Sequence, residues 1–114
     1  MSSTYGDSPV HPIIHQPWRY DIVRFDLHHD PPNGRNDFLD LWLQLGEEVR
    51  QLRFLRPRTI KIEEGFPWPT RGMIILDVRH WQWEDVGVQV ADFEASRGSV
   101  TFYAADVLEV SAAG

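Results

Sequence analysis

The stretch DFLDLWLQLG, residues 37–46, carries the clearest structural signal in the chain. Leucine occupies every second position, and the residues between are mixed in character: Phe38, Asp40, Trp42 and Gln44 alternate with Leu39, Leu41, Leu43 and Leu45. Successive side chains of a β-strand point to opposite faces of the sheet. The pattern therefore predicts a strand with its leucine face on the core and its mixed face toward solvent.

The same two-residue period continues on both sides of this stretch. Upstream, YDIVRFDLHHD (residues 20–30) predicts a strand with Val23, Phe25 and Leu27 on one face and Ile22 on the other. The turn sequence PPNGRN follows it at residues 31–36. Downstream, further strands are predicted around residues 60–62 and within GMIILDVR (72–79), DVGVQVADFE (85–94) and VTFYAADVLEV (100–110).

Residues 46–55 fit either a strand or a short helix. Gly46 directly after a strand favours a hairpin, and Pro57 leaves little room for a helix. The sequence thus predicts an all-β or β-dominated α+β domain with seven to eight short strands, arranged as an antiparallel sandwich or as a curled, partly closed sheet. One short helix around 46–55 remains the alternative.

The length of 114 residues predicts one domain. We expect a flexible or loosely docked N-terminal arm at 1–17, a single antiparallel β domain at 18–110 and a disordered tail at 111–114. The chain has no cysteine, which excludes disulfides and thiolate metal sites. It shows neither an apolar run of membrane-spanning length nor a signal peptide, so we expect a cytoplasmic protein without a membrane partner. A net charge of -6 argues against nucleic acid as a partner.

Positive charge is concentrated in residues 50–61, which contain five basic residues and no acidic one. Arg50, Arg53, Arg56 and Arg58 make this segment a candidate contact for an anionic partner. The alternative is neutralisation inside the protein by acidic neighbouring strands. Added salt should weaken the binding of an anionic partner that these arginines contact.

The stretch DVRHWQWEDVG, residues 77–87, is a second candidate site. If the preceding strand continues straight, Ile74, Leu76, Val78 and His80 face the core. The outward residues are then Ile75, Asp77, Arg79, Trp81 and Trp83, and the two indoles form a flat apolar shelf rimmed by His80. The alternative, which we favour, is that the strand stops near Arg79 and a turn folds at least one tryptophan back under the sheet edge. We expect Trp81 to be the more exposed of the two.

The loop GFPWPTRG, residues 65–72, holds Trp68 between two prolines. Each proline fixes its own φ, so the loop is stiff and loses little entropy when it docks. Trp68 is therefore a candidate anchor for a partner. The equal alternative is a lid that closes one end of the β core.

Metal binding and catalysis find little support in the sequence. His28 and His29 are adjacent and so point to opposite faces of a strand, and His11 and His15 need a helix that Pro12 and Pro17 disfavour. The carboxylate pairs at 63–64, 84–85 and 92/94 have no accompanying nucleophile motif. We predict neither a metal nor another cofactor and no catalytic residue.

In size, acidity and β content the chain resembles small acidic bacterial proteins, including immunity proteins that neutralise toxins, although no motif carries that resemblance. The sequence favours a non-catalytic recognition domain. Its partner is a protein or a second copy of the chain, bound through the basic strand and the aromatic loops. The first alternative is a saccharide- or small-molecule-binding sandwich that uses the same tryptophans. The weaker alternative is a small acid/base enzyme.

Overall fold

The computed structural model describes residues 4–5, 8–32, 35–64, 72–84, 86–92 and 99–110. These residues form ten strands and two short 3-10 helices. The strands are β1 (Thr4–Tyr5), β2 (Ser8–Pro9), β3 (Asp21–His28), β4 (Phe38–Leu45), β5 (Glu48–Leu55), β6 (Arg58–Ile62), β7 (Met73–Asp77), β8 (Val88–Asp92), β9 (Val100–Ala104) and β10 (Asp106–Val110), and the helices are Pro17–Arg19 and Arg79–Trp81. The predicted β-dominated, antiparallel class is confirmed.

Two four-stranded antiparallel sheets pack face to face, and β1 and β2 form a separate small pair. The first sheet has the order β10-β5-β4-β3, and the second has the order β6-β9-β8-β7. Residues 48–55 form a strand, so the helical alternative for 46–55 is wrong. Gly46 has a φ of 62° in the two-residue turn between β4 and β5, a backbone conformation that glycine adopts without strain.

The leucine face of β4 forms the centre of the core, as its alternation predicts. Leu39, Leu41 and Leu43 are fully buried. On the adjacent β3, a bulge between Ile22 and Arg24 shifts the register. Ile22 is therefore opposite Leu43 and Phe25 opposite Leu41, so both share the leucine face. The expectation that Ile22 and Phe25 lie on opposite faces is wrong because of this extra residue.

The core lies between the two sheets. Phe54 of β5 meets Phe102 of β9 edge to face, with ring centroids 4.9 Å apart and an interplanar angle of 90°. Val88 and Val90 of β8 join this cluster. Full burial of each such side chain stabilises the fold by about 1.5–3 kcal/mol, and no disulfide is needed to hold the sheets together.

Strand β7 is buried on both faces. Met73 and Ile75 pack in the core between the sheets, whereas Ile74 and Leu76 pack in a second apolar cluster on the outer face of the second sheet. The expectation that Ile75 points to solvent is wrong, since its side chain is fully buried. The continuous apolar run from Met73 to Leu76 is typical of a strand covered on both sides.

A bent ribbon joins the two sheets. Strand β5 continues into β6 through Arg56 and Pro57, and β9 continues into β10 through Ala105. The Ala105 amide donates to the Leu55 carbonyl oxygen at 2.8 Å, at the point where both strands leave one sheet for the other. Arg56 has a φ of 49° at this bend. The pairs β5–β10 and β6–β9 are thus two halves of one ribbon.

The segment that precedes β3 lies along the free edge of β7. Val10 forms a bridge with Leu76, and the His11 amide donates to the Ile75 carbonyl oxygen at 2.8 Å. Ile14 enters the main core. The division into an arm, a domain and a tail stays a prediction, and the tail at 111–114 lies outside the described residues.

Candidate functional site

The chain turns sharply where β7 ends. The Asp77 carboxylate accepts a hydrogen bond from the Arg79 amide at 3.1 Å and two from the Arg79 guanidinium at 3.0 and 2.6 Å. These bonds lower the pKa of Asp77 from its ordinary 3.8 to about 2. Gln82, with a φ of 59°, ends the 3-10 helix Arg79–Trp81. The straight-strand interpretation is wrong here, and the predicted turn is confirmed.

This turn folds Trp81 back over the outer face of the second sheet. Trp81 is partly buried against the second apolar cluster, in which Ile74, Leu76, Val78 and Val86 are buried. Trp83 instead keeps 55% of its surface exposed. The expectation that Trp81 is the more exposed indole is therefore wrong, because the 3-10 helix directs Trp81, not Trp83, onto the sheet.

Three aromatic rings meet on this face and form what we call the aromatic cluster: Trp81, Trp83 and Tyr103. The Trp81 and Trp83 ring centroids are 4.9 Å apart with an angle of 56° between the planes. The centroid of the Tyr103 ring lies 6.3 Å from that of Trp81 and 5.9 Å from that of Trp83. His80 meets Trp81 edge to face at 6.2 Å. The rings are tilted, so they form a corner and not the flat shelf that the straight strand implies.

A shallow depression lies next to the aromatic cluster on the same face. It has a volume of about 290 Å3 and crosses strands β6, β9 and β8. Its polar lining consists of Thr59, Lys61, Gln89, Thr101 and Tyr103. Because Tyr103 belongs to both features, the depression and the aromatic cluster are contiguous.

The first two arginines of the basic segment point to opposite faces of β5. Arg50 donates to both Glu109 carboxylate oxygens, at 2.9 and 2.6 Å, and to the Ile13 carbonyl oxygen at 3.3 Å. This pairing raises the pKa of Arg50 and lowers that of Glu109. Glu48 lies 4.0 Å from the same guanidinium. Arg50 is thus neutralised at one end of the sandwich.

Arg53 lies on the outer face of the first sheet. Its guanidinium donates to both oxygens of Asp40, at 2.8 and 2.9 Å, and lies 4.2 Å from the centre of the Phe38 ring. Asp40 is only 4% exposed and also accepts a hydrogen bond from Gln51 at 2.9 Å. Arg53 is therefore also neutralised inside the protein.

The two remaining arginines lie at and after the bend. Arg56 is exposed within the bend itself, whereas Arg58 is exposed on β6 in register with Tyr103. Arg58 has no ion-pair partner among the residues that the structure describes. Arg58 thus belongs to the same sheet face as the aromatic cluster.

The structure brings together three of the eight predicted contact residues, His80, Trp81 and Trp83, and a fourth, Arg58, is in register with Tyr103 of the same face. It keeps Arg50, Arg53 and Arg56 apart from them, and Trp68 lies outside the described residues. Tyr103 is the site residue that the sequence reasoning missed. Its outward position on β9 could be read from the alternation, but its meeting with the two tryptophans depends on the turn after β7.

Three of the five histidines have local structural roles. His28 stacks on Phe38 at 4.8 Å, and His29 pairs with the Asp37 carboxylate at 2.8 Å. His11 Nδ1 accepts a hydrogen bond from the Ile13 amide at 3.1 Å, and burial lowers the pKa of His11. Within the described ranges, no three metal-ligating side chains gather where they could hold an ion.

Comparisons of the chain with known protein families, with curated proteins and with solved structures found no match. In the described part of the chain, no helix is long and apolar enough to cross a membrane.

Proposed function

We propose that this chain is a recognition domain, without chemistry of its own, that binds a protein partner through the aromatic cluster. The observation that supports the proposal is the position of Trp83, which is half exposed although it rests on two other rings. An indole in this position is available to a partner while its own orientation is already restricted.

The energetics of interfaces favour such a residue as an anchor. Tryptophan, tyrosine and arginine are enriched among the few residues that dominate binding energy. An indole supplies a large apolar area with few rotatable bonds, so little side-chain entropy is lost when a partner covers it. Trp83 therefore offers more binding energy than the aliphatic side chains exposed elsewhere on the described surface, such as Val49 and Leu108.

The surroundings of the aromatic cluster suit a polar rim. His80 and Glu84 are exposed beside the tryptophans, and Arg58 is exposed on the same face. Charged groups at a rim guide association and fix orientation more than they add affinity. In this proposal Arg58 is the arginine of the basic segment that contacts the partner, whereas Arg50 and Arg53 stabilise the fold.

Site-specific photo-crosslinking in the native host tests the proposal. A photo-reactive phenylalanine analogue replaces His80, and the control carries it at Val49, which is 51% exposed on the outer face of the first sheet. We expect an adduct of defined mass from position 80 alone, and Trp83→Ala should remove it. An adduct of twice the chain mass would identify the partner as a second copy.

The proposal fails if position 80 gives no adduct, or if Trp83→Ala leaves the adduct unchanged. Leu108→Ala is the matched control variant, since it removes an exposed apolar side chain from the opposite face and should leave the adduct intact.

A further inference from the structure

We infer that the depression beside the aromatic cluster binds a small hydroxylated ring that carries one anionic group, such as an acidic sugar or a sugar phosphate. This inference goes beyond partner recognition, because it holds whether or not a protein covers Trp83. Four features of the depression support it: its size, its hydrogen-bonding groups, its charge and its backbone.

The size of the depression fits one ring. Pockets for small molecules usually enclose about 300–1,000 Å3, and this depression, at about 290 Å3, lies just below that range. Tyr103 forms part of its wall, and the centroid of its ring lies 5.9 Å from that of the Trp83 ring. The Tyr103 ring thus offers an apolar surface against which the less polar face of a ring can pack.

The hydrogen-bonding groups fit hydroxyl substituents. Thr59, Thr101 and Tyr103 contribute hydroxyls and Gln89 contributes an amide, all of which can both donate and accept hydrogen bonds. None of these four side chains hydrogen-bonds to another residue that the structure describes. Sugar hydroxyls also donate and accept, so they match a lining of this kind.

The charge of the depression fits an anion. Among the residues that the structure describes, Lys61 is the charged side chain in its lining, and no carboxylate belongs to that lining. Lys61 lies 3.1 Å from Glu63 but keeps 71% of its side chain exposed, so an incoming anion can reach it. Arg58, on the same strand, adds a second positive charge near Tyr103.

The backbone of β6 is irregular where it borders the depression. Between Arg58 and Lys61 the register with β9 shifts by one residue. Thr59 lies in this bulge with a φ of 57°, a conformation that β-branched residues rarely adopt. Bulges and such backbone outliers concentrate at binding sites, where they redirect side chains. Here the bulge brings both Thr59 and Lys61 to the depression.

Nuclear magnetic resonance titrations of the full chain with glucuronate, glucose 6-phosphate and glucose test the inference. The side-chain amide of Gln89 reports occupancy directly. We expect both anionic sugars to shift it with millimolar affinity, at least about fivefold tighter than glucose. The anionic sugar that binds with the higher affinity shows whether the depression prefers a carboxylate or a phosphate.

Three variants locate the site. Lys61→Gln should reduce the affinity for the anionic sugars to that for glucose. Thr101→Val should lower the affinity for all three sugars. Arg24→Gln makes the same change of charge on the outer face of the first sheet and should leave the affinities unchanged. Equal affinities for all three sugars, anionic sugars that still bind a folded Lys61→Gln variant more tightly than glucose does, or no shift of Gln89 at about 20 mM sugar would overturn the inference.

Discussion

On the outer face of the first sheet, Phe38 is contacted by His28 from one neighbouring strand and by Arg53 from the other, and Arg24 lies 4.5 Å above the Trp42 ring. On the outer face of the second sheet, Trp83 rests on other rings and still keeps 55% of its surface exposed. Both faces carry aromatic and basic residues. They differ in whether those residues already have partners within the chain.

The difference separates structural residues from candidate binding residues. On the first sheet, the guanidinium groups of Arg53 and Arg24 cover aromatic rings, and the buried carboxylate of Asp40 is fully hydrogen-bonded. On the second sheet, Gln89 and Thr101 have no side-chain partner among the described residues. A count of aromatic and basic residues therefore does not locate a site, whereas an account of their contacts does.

The largest expected effect concerns Asp40. Asp40→Ala removes the acceptor of Arg53 and Gln51, and we expect a loss of about 2–3 kcal/mol in the free energy of unfolding. The loss stays below that for a fully buried ion pair because the Arg53 side chain is 34% exposed and can be hydrated. Urea denaturation measures it.

The matched control for Asp40 is Asp26→Ala on the same face, where the carboxylate is 56% exposed and 3.6 Å from Arg24. We expect a loss of no more than about 0.5 kcal/mol from that variant. Equal losses from the two variants would contradict the structural role assigned to this face.

The second expected effect separates the two tryptophans of the aromatic cluster. Trp81→Ala uncovers the second apolar cluster and should lower the free energy of unfolding by about 2 kcal/mol, less than the 3–5 kcal/mol typical of a fully buried aromatic residue. Trp83→Ala should lower it by less than about 1 kcal/mol, since half of the side chain is already in water. Iodide should quench less of the remaining tryptophan emission in Trp83→Ala than in the wild type.

The reverse order of stability losses would mean that Trp83, and not Trp81, closes the second apolar cluster. The second sheet would then resemble the first, with its aromatic residues committed to stability.

The smallest expected effect depends on pH and concerns the turn that positions the tryptophans. The pKa of Asp77 is about 2 in the folded protein, below its ordinary 3.8. Its pairing with Arg79 therefore stabilises the fold above pH 3.8, and this contribution is lost as the pH falls toward 2. The Arg79 side chain is 76% exposed, so solvent screening keeps this contribution smaller than the effects expected for Asp40 and Trp81.

Denaturation of the wild type and of Asp77→Asn at several pH values checks this effect. The difference in stability between them should be greatest near neutral pH and should shrink between pH 4 and pH 2. A difference that is constant over this range would contradict the role of the carboxylate charge in the turn.

The sequence predicted the fold class well because the strands alternate cleanly. Leucine at every second position of β4 identified the core face, and Val100, Phe102 and Ala104 did the same for β9. The pattern failed at β7 because both faces of that strand are buried, so a two-residue period could not describe it. It also failed at Ile22, where the bulge in β3 reverses the faces.

The site was less predictable than the fold. Arg50 and Arg53 are three residues apart on a strand, so their opposite faces could have been read from the sequence once a strand was assumed. The neighbours of Tyr103 could not be read from the sequence, because they depend on the order of strands in the second sheet and on the hydrogen bonds between Asp77 and Arg79. Local pattern predicts which side chains point outward, and only tertiary structure determines which of them meet.

The bent ribbon at Leu55 and Ala105 has a mechanical consequence. Because the paired strands β5–β10 and β9–β6 pass from one sheet into the other, the two layers can separate only if the ribbon straightens at the bend and the shared core is exposed. The sandwich should therefore unfold as a single cooperative unit, and the surfaces on its two sides are carried by one rigid frame.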